Sequence, residues 1–307
     1  MIYIISETAD VSTEKVLEWL DYFEVDYKRI NVDTDYCKLT LEIGNEKDNL
    51  VEDSNFFWIR RGYFPFIENS LKQSIYYPYL KNEYFSVIGV IENFSSKTIG
   101  SYFKEHLNNK LENLVFAKKV GLLIPNTIVT NKKKDLIRFV DKYKKYITKS
   151  ISKPPNIYTK ESVIVGGGTS VLKIEKTPPS FSMSLIQEYI EKKFEIRTFF
   201  IEDNFYSMAI FSQNDDKTKI DYRNYNDEIP NRCVPFILPE KVLDKIKQFV
   251  KISNHNTGSI DMIYSENEEY YFLEINPMGQ FDWLSGNCNY QIEKKIAKIL
   301  KSKNGRK

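Results

Sequence analysis

Cysteine and histidine are scarce in this chain of 307 residues, which contains three cysteines and two histidines. Cys37, Cys233 and Cys288 lie far apart and show no paired spacing, so neither a disulfide framework nor a zinc site is predicted. His106 and His255 are too few for a histidine-rich metal centre. Reduced thiols are the default for such a chain, and we expect a cytoplasmic protein.

Long apolar runs and an excess of one charge are also lacking. No run approaches the roughly 20 residues that a membrane-spanning helix needs, and the opening MIYIIS is too short for a secretion signal and lacks a basic flank. Lysine and arginine number 44 against 42 acidic residues, so we expect neither a nucleic acid nor a membrane as partner. An apolar fraction of 42% with 14% aromatics indicates a folded chain with a substantial core.

The N-terminal part alternates strand-like and helix-like patterns, which favours a parallel α/β unit. Strands are predicted at IYIIS and DYKRINV, and a helix between them is expected to be capped by Ser12. A further strand, FFWIRRG (56–62), ends in two arginines.

Farther along, a helix is predicted to end near Gly121, and Asn131 is expected to cap the next helix. Antiparallel strand pairs are predicted for 191–211 and 258–277. We place domain boundaries near residues 105 and 188.

The clearest chemical signal is a pair of predicted strands that carry acidic and amide side chains. Residues two apart on a strand share a face, so Glu274 and Asn276 point the same way, and Asp261 joins them if the strands form a hairpin. Two carboxylates and an amide carbonyl are hard oxygen ligands of the kind that Mg²⁺ prefers. Taken alone, EINP also fits a structural interpretation, in which Asn276 caps the turn before Pro277 and Glu274 forms a salt bridge.

Two further features suit phosphate binding. Gly166, Gly167 and Gly168 lie between strand-like runs, where backbone N–H groups can converge on an anion. The loop lacks the spacing of a Walker motif, and a flexible hairpin is the alternative. Lys149 at a strand end and Lys110 at a helix start could meet phosphates as point charges, although a lysine-rich chain also places many such residues in solvent.

The stretch QEYIEKKFEIR (187–197) connects two predicted strands. The backbone of Glu188, Tyr189 and Ile190 could pair with an adenine edge, and Glu195 could accept hydrogen bonds from ribose hydroxyls. Arg197 shares the face of Glu195, and a structural ion pair between the two is the plain alternative.

The order of these features resembles that of the ATP-grasp ligases over about residues 105–302. NKLENLVFAKKVGLLIPNT is similar to the opening of their central domain, and GSIDMIY followed by YYFLEINPMGQF is the most specific part of the resemblance. The resemblance implies an α/β (α+β) chain with the ATP-grasp fold. Its parts would be an N-terminal α/β pre-ATP-grasp domain (1–105), a central domain (106–187) and a C-terminal antiparallel-sheet domain with the metal ligands (188–307).

Within this group the chain is more similar to the graspetide synthetases, the microviridin- and marinostatin-type maturases. FFWIRRGYF resembles their N-terminal Trp-x-Arg-Arg strand, IDYRNYN (220–226) resembles their Asp-aromatic-Arg segment, and NPMGQFDWL also fits. The N-terminal stretch 4–31 is similar to the grasp-with-spasm maturase subgroup.

The resemblance implies ATP and Mg²⁺ as cofactors and gives each candidate residue a role. Phosphates would be held by Lys110, Lys149, Gly166, Gly167 and Gly168. The nucleoside would be held by Gln187, Glu188, Tyr189, Ile190 and Glu195. One or two Mg²⁺ ions would be held by Asp261, Glu274 and Asn276, and the catalytic donors would be Arg197 and Arg223.

The implied activity is ATP-dependent macrocyclisation of a ribosomal precursor peptide through side-chain esters or amides and an acyl-phosphate intermediate. The peptide would carry a leader and a core with Thr, Ser or Lys and Asp or Glu. Two alternatives stay open: an ATP-grasp carboxylate–amine ligase for small molecules or a protein tail, and a catalytically silent peptide-binding module. The aromatic-rich stretch 76–85 either binds the leader or packs on the core, and a homodimer is one expectation for the assembly.

Overall fold

The computed structural model describes residues 1–37, 56–63, 65–94, 98–143, 145–152, 156–158, 163–165, 168–224, 226 and 228–304. Within these ranges the strands form three larger sheets and a separate two-stranded pair. No helix in the described part of the chain is long and apolar enough to cross a bilayer.

The N-terminal residues form a parallel sheet with helices on both faces. Its strands are β1 (Ile2–Ser6), β2 (Tyr27–Asn31), β3 (Phe56–Ile59) and β4 (Thr98–Ile99). The associated helices are α1 (Val11–Tyr22), α2 (Tyr77–Phe94) and α3 (Tyr102–His106). The strand order is β2-β1-β3-β4, and every described pairing is parallel, as the alternating pattern predicts.

The central residues form a smaller antiparallel sheet, and the helix at 133–140 packs on it. Its strands are β5 (Thr127–Lys132), β6 (Tyr146–Lys149), β9 (Ser170–Val171) and β10 (Ser180–Glu188), in the order β5-β10-β6-β9. The helices are α4 (Lys110–Lys119) and α5 (Lys133–Val140). Strands β7 (Asn156–Tyr158) and β8 (Val163–Val165) pair only with each other among the described strands.

The C-terminal residues form a five-stranded antiparallel sheet. Its strands are β11 (Lys192–Ile201), β12 (Asn204–Phe211), β13 (Arg232–Phe236), β14 (Thr257–Ser265) and β15 (Tyr270–Asn276). The helices are α6 (Glu240–Ile252), α7 (Asp282–Cys288) and α8 (Ile292–Asn304). The strand order is β13-β12-β11-β14-β15, with the predicted hairpins β11–β12 and β14–β15.

Alternation along the C-terminal strands separates the core from the polar site. Ile196 and Ile260 point to one face and pack in the core with residues of α4 and α6. Their neighbours Arg197 and Asp261 point to the opposite face and are also buried. Successive side chains of a strand face opposite ways, so one sheet supports a hydrophobic core and a buried charged cluster.

Two predicted helix caps are wrong. Helix α1 begins at Val11 after Asp10, and Ser12 lies inside it, where its hydroxyl donates to Asp282 at 2.8 Å. Asn131 lies within strand β5, and the next helix follows Lys132 directly. The local sequence gives only the tendency of a residue to cap a helix. The hydroxyl of Ser12 instead bonds the distant Asp282, and Asn131 instead belongs to a strand of the central sheet.

The aromatic-rich stretch 76–85 lies mainly in helix α2, which the sequence pattern does not predict. Tyr84 and Phe85 pack against a core cluster, whereas Tyr76 and Tyr79 are exposed. The stretch therefore serves the core on one side, and its other tyrosines face solvent.

Gly100 allows the closest backbone approach in the N-terminal sheet. Its φ is +81°, and a Cβ added there would lie 2.1 Å from the carbonyl oxygen of Ile59. We expect Gly100→Ala to lower the free energy of unfolding by about 2 kcal/mol or more, because left-handed strain and a backbone clash add. Denaturant titration measures the loss.

Gly286→Ala is the matched control, since a Cβ at this position in helix α7 would meet no atom within 4 Å. Alanine is the better helix former, so this variant should be as stable as wild type or more stable. Equal stability of Gly100→Ala and wild type would contradict the close approach.

Candidate active site

A cleft lies between the central sheet and the C-terminal sheet. Strands of both sheets supply its walls, which include most of the residues that the sequence indicates for a nucleotide and its metal. The predicted residues that line it are Lys110, Lys149, Gln187, Glu188, Tyr189, Ile190, Glu195, Arg223, Asp261 and Glu274. The packing of helix α4 and the central sheet beside the C-terminal sheet therefore brings together residues as distant in sequence as Lys110 and Glu274.

The remaining predicted residues do not line the cleft, but two of them lie directly beside it. Arg197 and Asn276 both contact Asp261 and so belong to the same cluster. Gly166 and Gly167 lie outside the described residues, and Gly168 is exposed and is not among the lining residues. Its neighbour Thr169 does line the cleft.

The acidic centre is built by the β14–β15 hairpin. Asp261 is directly opposite Glu274 in the register, and the pairing is irregular between Asp261 and Met262. Asn276 lies two residues past Glu274 on the same face, and its amide nitrogen donates to Asp261 at 3.3 Å. Both carboxylates are buried, with 4% and 6% of each residue exposed. The structure thus brings the three predicted metal ligands together.

Cationic side chains surround these carboxylates. Arg197 is opposite Asp261 on the neighbouring strand, and its Nη1 donates to both carboxylate oxygens at 2.9 and 3.2 Å. Arg223 donates from one nitrogen to Asp261 at 2.6 Å and to Glu274 at 2.5 Å. The ammonium of Lys110 lies 3.5 Å from Glu274. Each buried negative charge therefore has a positive partner, as burial of charge requires.

The donor set fits a divalent cation. Asp261 and Glu274 present hard oxygens to one point, since a single nitrogen of Arg223 contacts both of them. No cluster of three or more His, Cys, Asp or Glu side chains occurs within the described ranges. The third predicted oxygen donor is the side-chain amide of Asn276, which lies beside Asp261. The position between the carboxylates already accepts positive charge from the protein itself.

The charge state of Glu274 follows from this surrounding. Burial alone would raise the pKa of the Glu274 carboxyl, but Arg223, Lys149 and Lys110 together lower it to about 2. Burial lowers the pKa of Lys149, and Glu274 opposes that shift. Glu274 is therefore ionised at neutral pH, which a cation ligand requires.

Three buried polar atoms along the cleft lack hydrogen-bond partners in the described structure. They are the amide oxygen of Gln187, the hydroxyl of Tyr189 and the second carboxylate oxygen of Glu195. Buried polar groups are almost always hydrogen-bonded in folded proteins. Their shared location in one cleft indicates a polar ligand there, and a nucleoside carries matching donors and acceptors.

The connector after β10 restricts how an adenine could bind. The amide of Glu188 donates to Asn126, and the amide of Tyr189 donates to Lys145. Of the three residues predicted to pair with adenine, Ile190 is the one whose amide has no such donation among the described residues. A backbone donor to adenine would therefore come from Ile190.

Glu195 and Arg197 share a face but do not pair with each other. Arg197 contacts Asp261, whereas Glu195 contacts Lys192. The predicted structural ion pair between Glu195 and Arg197 therefore does not form. The strands that flank the predicted glycine loop pair elsewhere, β8 with β7 and β9 with β6.

The sequence pattern does not predict two further candidate functional residues, Lys192 and Arg60. Lys192 is buried and lines the cleft. Its neighbour Lys193 is half-buried, although the two lysines look equivalent in the sequence. Arg60, in the quoted FFWIRRG strand, is buried, and its Nη1 donates at 2.8 Å to the backbone of Met278. Two adjacent arginines directly after the apolar run FFWI were the available signal for Arg60, whereas Lys192 had none.

We expect the acid dependence of stability to reveal the charge on Glu274. Its pKa in the folded protein is about 2, below the ordinary value of 4.5, so the ionised form stabilises the fold. This contribution is complete above the ordinary pKa and is lost as pH falls from about 5 through about 2, with a size of up to about 3 kcal/mol.

Urea unfolding of wild type and Glu274→Gln at a series of pH values measures this contribution. Wild type should be more stable at pH 7, and the difference should narrow as the pH falls through the stated window. A difference that stays constant from pH 7 to pH 3 would contradict a depressed pKa. Glu266→Gln, at an exposed position of the same hairpin, should match wild type throughout.

Comparison with solved structures finds ATP-grasp ligases and a macrocyclase that are similar to this chain. It is similar to a RiPP-associated ATP-grasp ligase of Chryseobacterium gregarium, solved with ADP and a leader and core peptide, at 28% identity and a TM-score of 0.84 over 99% of this chain and 97% of that chain. It is also similar to the macrocyclase MdnC of Microcystis aeruginosa MRC, solved with its precursor peptide MdnA. That match has 26% identity and a TM-score of 0.78 over 98% and 99% of the two chains.

The ATP-grasp ligase PsnB, solved with a minimal precursor, Mg and ADP, shares the fold at a TM-score of 0.73 but only 16% identity, over 99% of this chain and 97% of that chain. No family profile matches the sequence, and no curated protein matches it. The predicted ATP-grasp fold, the predicted resemblance to graspetide-type ligases and the prediction of a ligase are confirmed by these structures.

Proposed function

We propose that this ATP-grasp ligase uses ATP to activate a side-chain carboxylate of a ribosomal precursor peptide and closes a macrocycle through an ester or amide. The observation that carries the proposal is the convergence of Asp261, Glu274 and Asn276 at a cleft lined by unpartnered buried polar atoms. The similar ligase of C. gregarium was solved with ADP and a leader and core peptide, and MdnC with its precursor peptide. These relatives support both a nucleotide and a peptide as ligands.

In the first step, an oxygen of a peptide Asp or Glu carboxylate attacks the γ-phosphorus of ATP. The bond from the γ-phosphorus to the bridging oxygen breaks, and the products are an acyl phosphate and ADP. Lys110 and Lys149 line the cleft beside Glu274, and we assign to them the phosphate oxygens as point-charge partners. Thr169 and the predicted glycines beside it would lie against the same phosphates.

In the second step, a Thr or Ser hydroxyl or a Lys amine of the peptide attacks the acyl carbon. The carbon–oxygen bond to phosphate breaks, the nucleophile loses a proton, and inorganic phosphate leaves. Arg223 suits a direct role, since 45% of its side chain is exposed although it reaches both carboxylates. Such a donor typically contributes roughly 10²–10³ in rate.

Arg197 suits a positioning role beside this donor. It is buried and holds Asp261, the hydroxyl of Tyr222 at 3.1 Å and the carbonyl of Gln280. Mg²⁺ would be held by Asp261, Glu274 and Asn276, and when bound it would offset the repulsion between the anionic carboxylate and the triphosphate. The fixed orientation of Asp261 therefore depends on Arg197.

The proposed nucleoside contacts are Gln187, Tyr189, Ile190 and Glu195. Buried polar atoms without partners support Gln187, Tyr189 and Glu195, and an amide without a backbone acceptor among the described residues supports Ile190. We retain the division at residues 105 and 188 as part of the proposal, because β10 ends at Glu188 and β11 begins at Lys192 in a different sheet. The grasp-with-spasm subgroup, a Thr-, Ser- or Lys-containing core, a homodimer and a cytoplasmic location stay predictions.

Removal of two metal ligands should abolish activity. We expect Glu274→Ala combined with Asn276→Ala to eliminate the ATP-dependent loss of water from a precursor peptide, because two of three oxygen donors are gone. Mass spectrometry of the peptide measures the reaction, and circular dichroism tests whether the fold is retained. Complete dehydration by this variant would falsify the metal assignment.

Glu266→Ala is the matched control, because it removes an exposed carboxylate from the turn of the same hairpin, and it should process the peptide at the wild-type rate. ADP release with free amino acids and without peptide would favour a small-molecule ligase. Peptide binding without ADP formation would favour a catalytically silent module.

A further inference from the structure

We propose that Lys192 is a positioning residue that couples nucleotide binding to the segment carrying Arg223. This inference rests on the proposed function, since it takes Glu195 as the ribose contact. It assigns a role to a buried lysine that neither the metal cluster nor the phosphate contacts employ.

An irregularity in strand pairing gives Lys192 its unusual direction. On β11, Lys192 is opposite Ser265 and Phe194 is opposite Tyr264, so one residue of β11 is extra at this point. In a regular strand, residues three apart point to opposite faces. The extra residue cancels one alternation, as in a β-bulge, and the Lys192 and Glu195 side chains meet on the cleft side.

The next lysine shows the opposite outcome. Lys193 points outward and pairs at 2.9 Å with the exposed Glu268. Lys192 has only 3% of its surface exposed. The two adjacent lysines therefore form a natural pair of test and control positions.

Lys192 joins two elements from its buried position. Its ammonium contacts one carboxylate oxygen of Glu195 and donates to the backbone carbonyl of Ile220 at 3.3 Å. Burial lowers the pKa of Lys192 to about 8, and Asp221 opposes that shift. The other carboxylate oxygen of Glu195 is buried and has no partner in the described structure, so it is an acceptor that a ligand hydroxyl would satisfy.

The carbonyl of Ile220 leads directly into the segment that ends at Arg223. Asp221 accepts a hydrogen bond from the hydroxyl of Thr169 at 3.3 Å and another from the amide of Arg223 at 3.1 Å. Arg223 then reaches Asp261 and Glu274. A continuous set of contacts therefore links the ribose position, the glycine-containing loop and the proposed catalytic donor.

The consequence is a coupling between the two ligands. A ribose hydroxyl that donates to Glu195 fixes the carboxylate that Lys192 holds, and Lys192 in turn fixes the backbone before Asp221. Such coupling is reciprocal: a bound nucleotide should raise the affinity for peptide, and a peptide bound at Arg223 should raise the affinity for nucleotide by the same factor. This factor is typically about 5–150-fold. Loss of Lys192 would leave Glu195 as a buried carboxylate without its cation.

The test uses ADP with Mg²⁺ and the full chain without peptide. Amide hydrogen exchange of residues 212–224 is measured with and without ADP, and ADP affinity is measured by calorimetry. In wild type we expect ADP to slow exchange in this segment. In Lys192→Met this protection should be lost even at saturating ADP, and ADP affinity should fall about tenfold or more, because the buried ion pair with Glu195 is broken.

Control variants separate coupling from general damage. Lys193→Met should behave as wild type, and Lys192→Arg should recover part of the protection because it keeps the charge and the donors. Glu195→Gln breaks the same contacts from the other end and should also lose the protection, which provides a second test if Lys192→Met does not fold.

Protection of residues 212–224 by ADP that persists in Lys192→Met or in Glu195→Gln would overturn the inference. So would equal losses in Lys192→Met and Lys193→Met, or a wild-type segment that does not respond to bound ADP. Each of these outcomes would overturn the coupling alone, and the proposed peptide ligase activity would still stand. Failure of wild type to bind ADP at all would instead refute the proposed function.

Discussion

The opposition of Arg197 and Asp261 across β11 and β14 is the constraint on which the site depends. The register places the two residues directly opposite each other, and both are buried. Removing one partner of a buried pair typically costs about 3–5 kcal/mol, since the other charge stays uncompensated. The pair therefore fixes one proposed metal ligand, and Arg197 extends the same control to the carbonyl of Gln280 in the following turn.

The turn after β15 is held from a second direction. Arg60, at the end of a strand in the N-terminal sheet, donates to the backbone of Met278 and lies 3.6 Å from the carboxylate of Asp10. Gly279 permits this turn to lie against Ser259, because an added Cβ would come within 2.3 Å of that side chain. Contacts from two sheets thus define the path of the chain directly beyond Asn276.

The C-terminal sheet shows which features of the site could be predicted from the sequence and which could not. The i and i+2 positions of Glu274 and Asn276 survive in the structure because strand alternation is a local property. Helix caps were less predictable, since the Ser12 hydroxyl found a partner 270 residues away. Lys192 and Lys193 could not be distinguished, because the extra residue that orients them belongs to the pairing with β14 and leaves no mark in the sequence.

The sequence by itself determined the hairpins β11–β12 and β14–β15, the parallel character of the N-terminal sheet and the set of oxygen donors on β14 and β15. Periodicity and residue chemistry act over a few positions, so they can be interpreted without coordinates. Only the tertiary structure decided that Arg197 holds Asp261, that Glu195 is paired with a buried lysine and that Arg60 supports the turn after β15. Those choices depend on the register between distant strands and on which charges are buried together, and both are set when the sheets assemble.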